Sequence, residues 1–215
     1  DKFVYYMTGR KIETDKYIPE CTDYSKPLFR VEKLGLKNGF DNISFSVYPG
    51  EILGITGLLG SGRTELAKSL FGIYPADTGN MYINEQKVCI KNPQDAVKNK
   101  IGYVPEDRLN EGLALLQSIK KNLTISNIDN MLTANKTLDF EKIDQDVIFW
   151  KDELSIKMDN PDEAVQLLSG GNQQKVVLGK WLETNPIVLI LNGPTIGVDI
   201  GAKYDLYKYL QNLAK

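Results

Sequence analysis

A chain of 215 residues with 26 basic and 28 acidic side chains carries a formal net charge of −2 and no histidine. The length allows one large or two small domains with a substantial core. The mixed, near-neutral charge excludes a nucleic-acid stripe and a polybasic membrane patch, and the missing histidine excludes His-based triads and imidazole metal sites. Cys21 and Cys89 supply neither a disulfide framework nor a metal-ligand cluster, in keeping with a reducing cytosol. No apolar run approaches the ~20 residues of a membrane span, and no signal-peptide pattern is expected, so any membrane work falls to other chains or domains.

Residues 1–27 do not read as the start of a domain. Phe3 to Arg10 is apolar and stops at glycine, and the polar, proline-containing stretch to Pro27 reads as a linker or a frayed tail. From Leu28 the pattern alternates through Leu34 and again from Ile43 to Val47, which predicts two strands. Glu51–Ile55 reads as a short buried strand. It leads into Gly57-Leu58-Leu59-Gly60-Ser61-Gly62-Arg63-Thr64-Glu65, where glycines, a cation and a hydroxyl stand at the spacing of a phosphate-binding loop, with arginine in the lysine place. Thr64 to Phe71 puts Leu66, Leu70 and Phe71 on one helical face. Glycines let several N–H groups point inward, and a helix N-terminus adds positive potential for an anion. A glycine-rich turn without ligand is the plainer alternative.

Met81–Ile83 and Val88–Ile90 flank Asn84–Lys87 as a hairpin, completing an antiparallel layer. Asn92-Pro93 caps a short helix through Val97, and Ile101–Val104 is a short buried strand. Pro105-Glu106-Asp107-Arg108 reads by default as a solvated loop. Ser118 to Lys157 has the character of a helical insert, with Ile119, Leu123 and Ile125 on one face and Phe140, Ile143, Val147, Phe149, Trp150 and Leu154 on another. Leu168-Ser169-Gly170-Gly171-Asn172-Gln173-Gln174-Lys175 opens a further helix. Ser169 is its N-cap, and Gly170 and Gly171 clear space near the first N–H groups. Ile187–Leu191 is continuously apolar, as for a central strand covered on both faces. It ends at Asn192-Gly193-Pro194-Thr195, followed by Gly197-Val198-Asp199 and a last helix from about Gly201.

These motifs, in this order, resemble the ATP-binding cassette of ABC transporters. Gly57–Thr64 matches the Walker A loop, Leu168–Gln173 the signature, Val188–Gly193 the Walker B strand and Gly197–Asp199 the D-loop. The form Gly62-Arg63-Thr64-Glu65, the signature ending Asn172-Gln173-Gln174-Lys175 and the loop Val104–Arg108 look most like the C-terminal cassette of tandem ribose- and galactose-type importer ATPases. Met7–Arg10 looks like the tail closing a preceding cassette. The resemblance implies an α/β P-loop NTPase fold of ABC type, with a parallel-sheet core, an antiparallel β layer and a helical subdomain over about 118–181. It assigns 1–27 to tail and linker and 28–215 to the cassette, with the H-switch strand missing from this sequence.

The resemblance further implies ATP and Mg²⁺ as cofactors, with Thr64 as a weak metal ligand. The departures matter for mechanism. Arg63 replaces lysine, Asn192 the Mg²⁺-holding aspartate and Gly193 the catalytic glutamate, while Glu106 is the nearest candidate for the absent Q-loop glutamine. The expected role is therefore a cassette impaired at its own site that completes a partner's site in trans through Ser169, Gly170, Gly171 and Gln173, with Asp199 as the D-loop acid. Implied partners are a second cassette, the N-terminal half of the same polypeptide; membrane permease subunits; and, indirectly, a periplasmic or extracellular sugar-binding protein. No nucleic acid is implied. The implied location is the cytoplasmic face of the plasma or inner membrane, as a peripheral subunit. The alternatives are a non-hydrolysing, nucleotide-responsive assembly or regulatory module and a cassette of a purine-nucleoside importer.

Overall fold

The computed structural model describes residues 24–214, which divide into two units, one holding 24–102 with 207–214 and the other 103–206. The expectations for residues 1–27 lie, apart from Tyr24–Pro27, outside the described residues.

In the first unit, β1 (Phe29–Leu36), β2 (Phe40–Val47), β3 (Thr78–Ile83) and β4 (Gln86–Val88) form an antiparallel sheet in the order β2-β1-β3-β4. The alternation expected from Leu28 to Leu34 holds for Phe29 and Val31 and then slips, so that Leu34 joins the buried face instead of residue 33. Lys33 is the cause: it takes a positive φ of 48°, and its N–H turns to the Ser44 hydroxyl at 2.8 Å. Such a bulge moves later side chains to the other face. Gly79 on β3 allows it, because a Cβ there would lie 2.5 Å from the Leu34 Cα. The hairpin is tighter than the expected four-residue turn. Asn84 and Glu85 alone connect β3 to β4, with φ of 49° and 63°, the left-handed pair of a type I′ turn.

Helix α1 (Arg63–Leu70) lies against β1 and buries Leu66 and Leu70, with Phe71 just beyond it, as expected from its apolar face. Helix α2 (Pro93–Lys98) starts as read: the Asn92 side chain accepts from the Asp95 N–H at 2.9 Å. One reading is corrected. Glu51–Ile55 forms no strand, and Ile52, Leu53 and Ile55 are exposed, because no neighbouring strand among the described residues ladders with them.

In the second unit, α3 (Ile119–Thr124), α4 (Phe140–Glu153) and α5 (Gly170–Leu182) make a helical layer in which α3 packs on both α4 and α5. Ser118 caps α3 and Asp139 caps α4 through their side chains. Ile143, Val147, Trp150 and Leu154 fall on one stripe and are buried, each worth about 1.5–3 kcal/mol. Against expectation Phe140, Phe149 and Ile125 are exposed: Phe149 lies off that stripe, Phe140 is the first residue of α4, and Ile125 lies just past the end of α3. Gly179 lets α5 approach closely: a Cβ there would lie 2.9 Å from Leu123 Cδ2.

β5 (Ile101–Val104) pairs with β6 (Val188–Leu191), and the Asn192 N–H extends the pairing to the Val104 carbonyl at 2.9 Å. β6 is half-buried along its length, not covered on both faces as its composition suggests, since its only ladder among the described residues is with β5. Helix α6 (Ile200–Leu213) ends the described chain.

Candidate functional site

The glycine loop bends where its sequence demands it. Gly60 and Gly62 take φ of 76° and 87°, with Ser61 between them, and Ser61 N–H closes a turn on the Leu58 carbonyl at 3.1 Å. Gly57 leaves room for the Ser61 side chain, since a Cβ there would lie 2.5 Å from Ser61 Oγ. Gly62 is the N-cap of α1 and has no side chain with which to cap its first N–H groups. Leu58 and Leu59 are 85% and 100% exposed, so the loop presents backbone and not a packed surface. Arg63 opens the helix in solvent; Thr64 and Glu65 are half-buried beside it.

The charged run after β5 is solvated at Glu106 and Asp107, as expected, but it is an ordered turn in which Arg108 is half-buried. Pro105 is buried, and the Asp107 carboxylate accepts from Leu109 N–H and Asn110 N–H, both at 3.1 Å, and from Asn110 Nδ2 at 2.7 Å. That Asn110 side-chain bond, before the backbone bonds, holds the Asp107 carboxyl below the usual range. Asp107 thereby caps a π-helical turn over Arg108–Gly112 and aims Arg108 inward. The guanidinium donates to the Ile196 carbonyl at 2.8 Å, the Gly197 carbonyl at 3.1 Å and Gln173 Oε1 at 3.4 Å. Neither composition nor local pattern marks Arg108 for this; its only signal was its place in the charged loop.

At the second glycine motif Ser169 is the N-cap of α5 by position only. Its hydroxyl accepts from Asn172 Nδ2 at 2.9 Å and from no backbone N–H of the first turn. Asn172 Oδ1 in turn accepts from the Lys157 N–H at 2.9 Å. Ser169 is exposed and Gly170 half-buried, whereas Gly171 and Gln173 are buried. The Gln173 amide faces Arg108 and the Val165 carbonyl.

The end of β6 joins this cluster. Asn192 Nδ2 is buried with no hydrogen-bond partner. Gly193 has φ 58°, and a Cβ there would lie 2.7 Å from Ile196 Cδ1 and 3.3 Å from Glu106 Cγ. Asp199 accepts from the Ala202 N–H at 2.9 Å and so caps α6. The structure thus brings Glu106, Arg108, Gly170, Gly171, Gln173, Gly193 and Asp199 into one neighbourhood of the 103–206 unit.

The glycine loop fits a phosphate: two left-handed glycines flank exposed backbone at an uncapped helix start, which suits an anion. Metal donors are sparser. No group of three or more acidic, histidine or cysteine side chains among the described residues could hold an ion, so a Mg²⁺ at the Thr64 hydroxyl needs oxygens from its nucleotide. No helix among the described residues is long and apolar enough to cross a membrane.

Comparison with known proteins agrees with this geometry. The family model described as ABC transporter matches residues 40–196. The chain is similar to the ribose import ATP-binding protein RbsA of Geobacillus kaustophilus, 43% identical over 214 residues, covering 100% of this chain and 43% of the relative. It is similar also to a putative ribose/galactose/methyl galactoside import ATP-binding protein of Agrobacterium fabrum, 43% identical over 218 residues, covering 100% of this chain and 42% of the relative. The chain therefore spans less than half the length of these relatives. Among solved structures, a nucleotide-free ATP-binding cassette from an ABC transporter superposes with a TM-score of 0.72 at 24% identity, covering 87% of this chain and 77% of that one. At that identity the likeness is one of fold: an ABC-type P-loop NTPase, mixed α/β, with an antiparallel sheet and a helical subdomain.

Proposed function

This chain belongs to the ABC transporter ATP-binding family, and from that premise we propose that it is the C-terminal nucleotide-binding cassette of an ATP-driven monosaccharide importer. Its sugar-import relatives support the substrate class. Its partners are a second cassette, permease subunits and, through them, an external sugar-binding protein; its place is the cytoplasmic face of the membrane, as a peripheral subunit.

Residues 57–65 hold the nucleotide phosphates through backbone N–H groups and the Arg63 charge, and the Thr64 hydroxyl offers one Mg²⁺ ligand. Hydrolysis at this site is impaired. Asn192 lacks the negative charge that helps hold the metal, and Gly193 lacks the side chain that polarises the attacking water. Loss of general-base help costs typically ~10²–10⁴-fold. Ser169 and the backbone at Gly170 and Gly171 instead serve a nucleotide bound by the second cassette, where donors aimed at developing phosphate charge matter most. Gln173, turned inward, supports this turn from behind, and Asp199 shapes the D-loop by capping α6.

One observation carries the reading: an exposed Ser169 whose hydroxyl caps no backbone N–H stands in the same chain as Asn192 and Gly193. The same pair of substitutions favours a second reading, a non-hydrolysing regulatory module. The test is steady-state ATPase of the full-length protein in its transporter. Ser169→Ala should cut turnover by about tenfold or more and Arg63→Ala by much less. Equal losses, or a harmless Ser169→Ala, would overturn the division of labour. An unchanged ATPase in both variants, with nucleotide still required for assembly, would select the regulatory reading.

A further inference from the structure

The Arg108 side chain fills a notch that two glycines leave open. An ideal Cβ at Gly170 would lie 2.7 Å from Nη2, and one at Gly197, where φ is 66°, would lie 3.0 Å from Nη1. Its hydrogen-bond acceptors are two main-chain carbonyls, of Ile196 and Gly197, and the amide oxygen of Gln173. They belong to two segments far apart in sequence. A planar fork with donors fixed in direction can hold such a set at once; an ammonium on a flexible stem cannot.

The contacts close into a ring. Arg108 holds Gly197; two residues on, Asp199 caps α6 through Ala202; and Ala202 and Asp199 stand against Gly171, whose neighbour Gly170 abuts Arg108 again. The root of the side chain is fixed as well, by the Asp107 cap. We propose that Arg108 is a positioning residue that couples the Ser169–Gln173 turn to the Ile196–Asp199 turn, so that the two move as one piece. The proposal rests on the reading that Ser169 serves a nucleotide held by a second cassette, and it names what sets the aim of that serine.

The test uses the full-length protein with Arg108→Gln, Arg108→Lys and Ser169→Ala. Amide hydrogen exchange in Arg108→Gln should accelerate about tenfold in both turns while α3 and α4 keep their protection, since coupled segments open together. ATP turnover should fall by about tenfold with KM changed less than about twofold, the split expected when orientation and not ground-state binding is lost. Arg108→Lys should restore thermal stability but not the protection of both turns. Acceleration confined to one turn, full rescue by lysine or an unchanged kcat would each overturn the coupling. If Arg108→Gln does not fold, Gln173→Ala takes its place; it should loosen the 196–199 turn about two- to threefold through Arg108 alone, and no change there refutes the proposal. A silent Ser169→Ala would instead refute the reading of the serine, while the exchange data still judge Arg108.

Discussion

The methyl group of Ala202 stands where a side chain at Gly171 would begin: an ideal Cβ at 171 would lie 2.9 Å from the Ala202 Cβ and 3.4 Å from Asp199 Oδ2. The signature glycine is thus required by its own chain, whatever it offers to a partner. Gly171→Ala should cost about 1–3 kcal/mol through overpacking. Gly171→Asp should cost more, since it adds a carboxylate beside Asp199. Ala202→Gly should recover part of the Gly171→Ala loss in a double-mutant cycle. Urea denaturation measures all of these; an unchanged midpoint for Gly171→Ala would contradict the packing argument.

Lys180 is buried in α5, where its ammonium donates to the Gly112 carbonyl, and burial lowers its pKa to about 8. The ordinary value is 10.5, so between about pH 8 and 10.5 the unfolded chain binds more protons than the folded one. Stability then rises with pH across that window and is flat below it, where both states are protonated. Wild type should gain on Lys180→Met as pH is raised from 7 to 10, by up to about 3 kcal/mol. Parallel stability profiles for the two proteins would show the premise to be wrong.

Asn122 pins the segment before α3. Its Oδ1 accepts from the Ala114 N–H at 2.8 Å, and its Nδ2 donates to the Ala114 and Ser118 carbonyls at 3.1 and 3.0 Å. Asn122→Leu keeps the volume but leaves these main-chain groups unpaired, at about 1–3 kcal/mol. Exchange of the Ala114 amide should accelerate in step with the loss seen by urea unfolding.

The β3–β4 turn invites a gain. Glu85 holds φ 63°, a conformation that glycine adopts without a Cβ clash. Glu85→Gly makes the turn Asn-Gly, the favoured type I′ pair, and should raise stability by about 0.5–1 kcal/mol; Glu85→Val should lower it. Thermal melts of the two variants should move in opposite directions.

What could be read from the sequence was mostly local chemistry. Asn92 caps the helix that follows it because a cap needs only the next three residues. The bends at Gly60 and Gly62 are local as well, whereas the Ser169 hydroxyl, read as a cap, turns to Asn172 instead. What failed depended on distant neighbours. Ile52 and Ile55 look like strand residues, but a strand exists only beside another, and none ladders with them among the described residues. Phe149 is as apolar as Trp150 yet falls off the buried stripe. Arg108 was hidden because its carbonyl acceptors lie 88 and 89 residues further on.

Both tryptophans of the chain, Trp150 and Trp181, lie in the 103–206 unit, and the indole N–H of Trp150 donates to Glu183 at the end of α5. Fluorescence excited selectively in tryptophan will therefore follow the melting of that unit. Agreement between this emission and circular dichroism would report one cooperative transition, and divergence two. An optical signal for nucleotide has to be introduced, and Leu59, fully exposed within the loop, is a position where an indole can be placed without disturbing a packed neighbour.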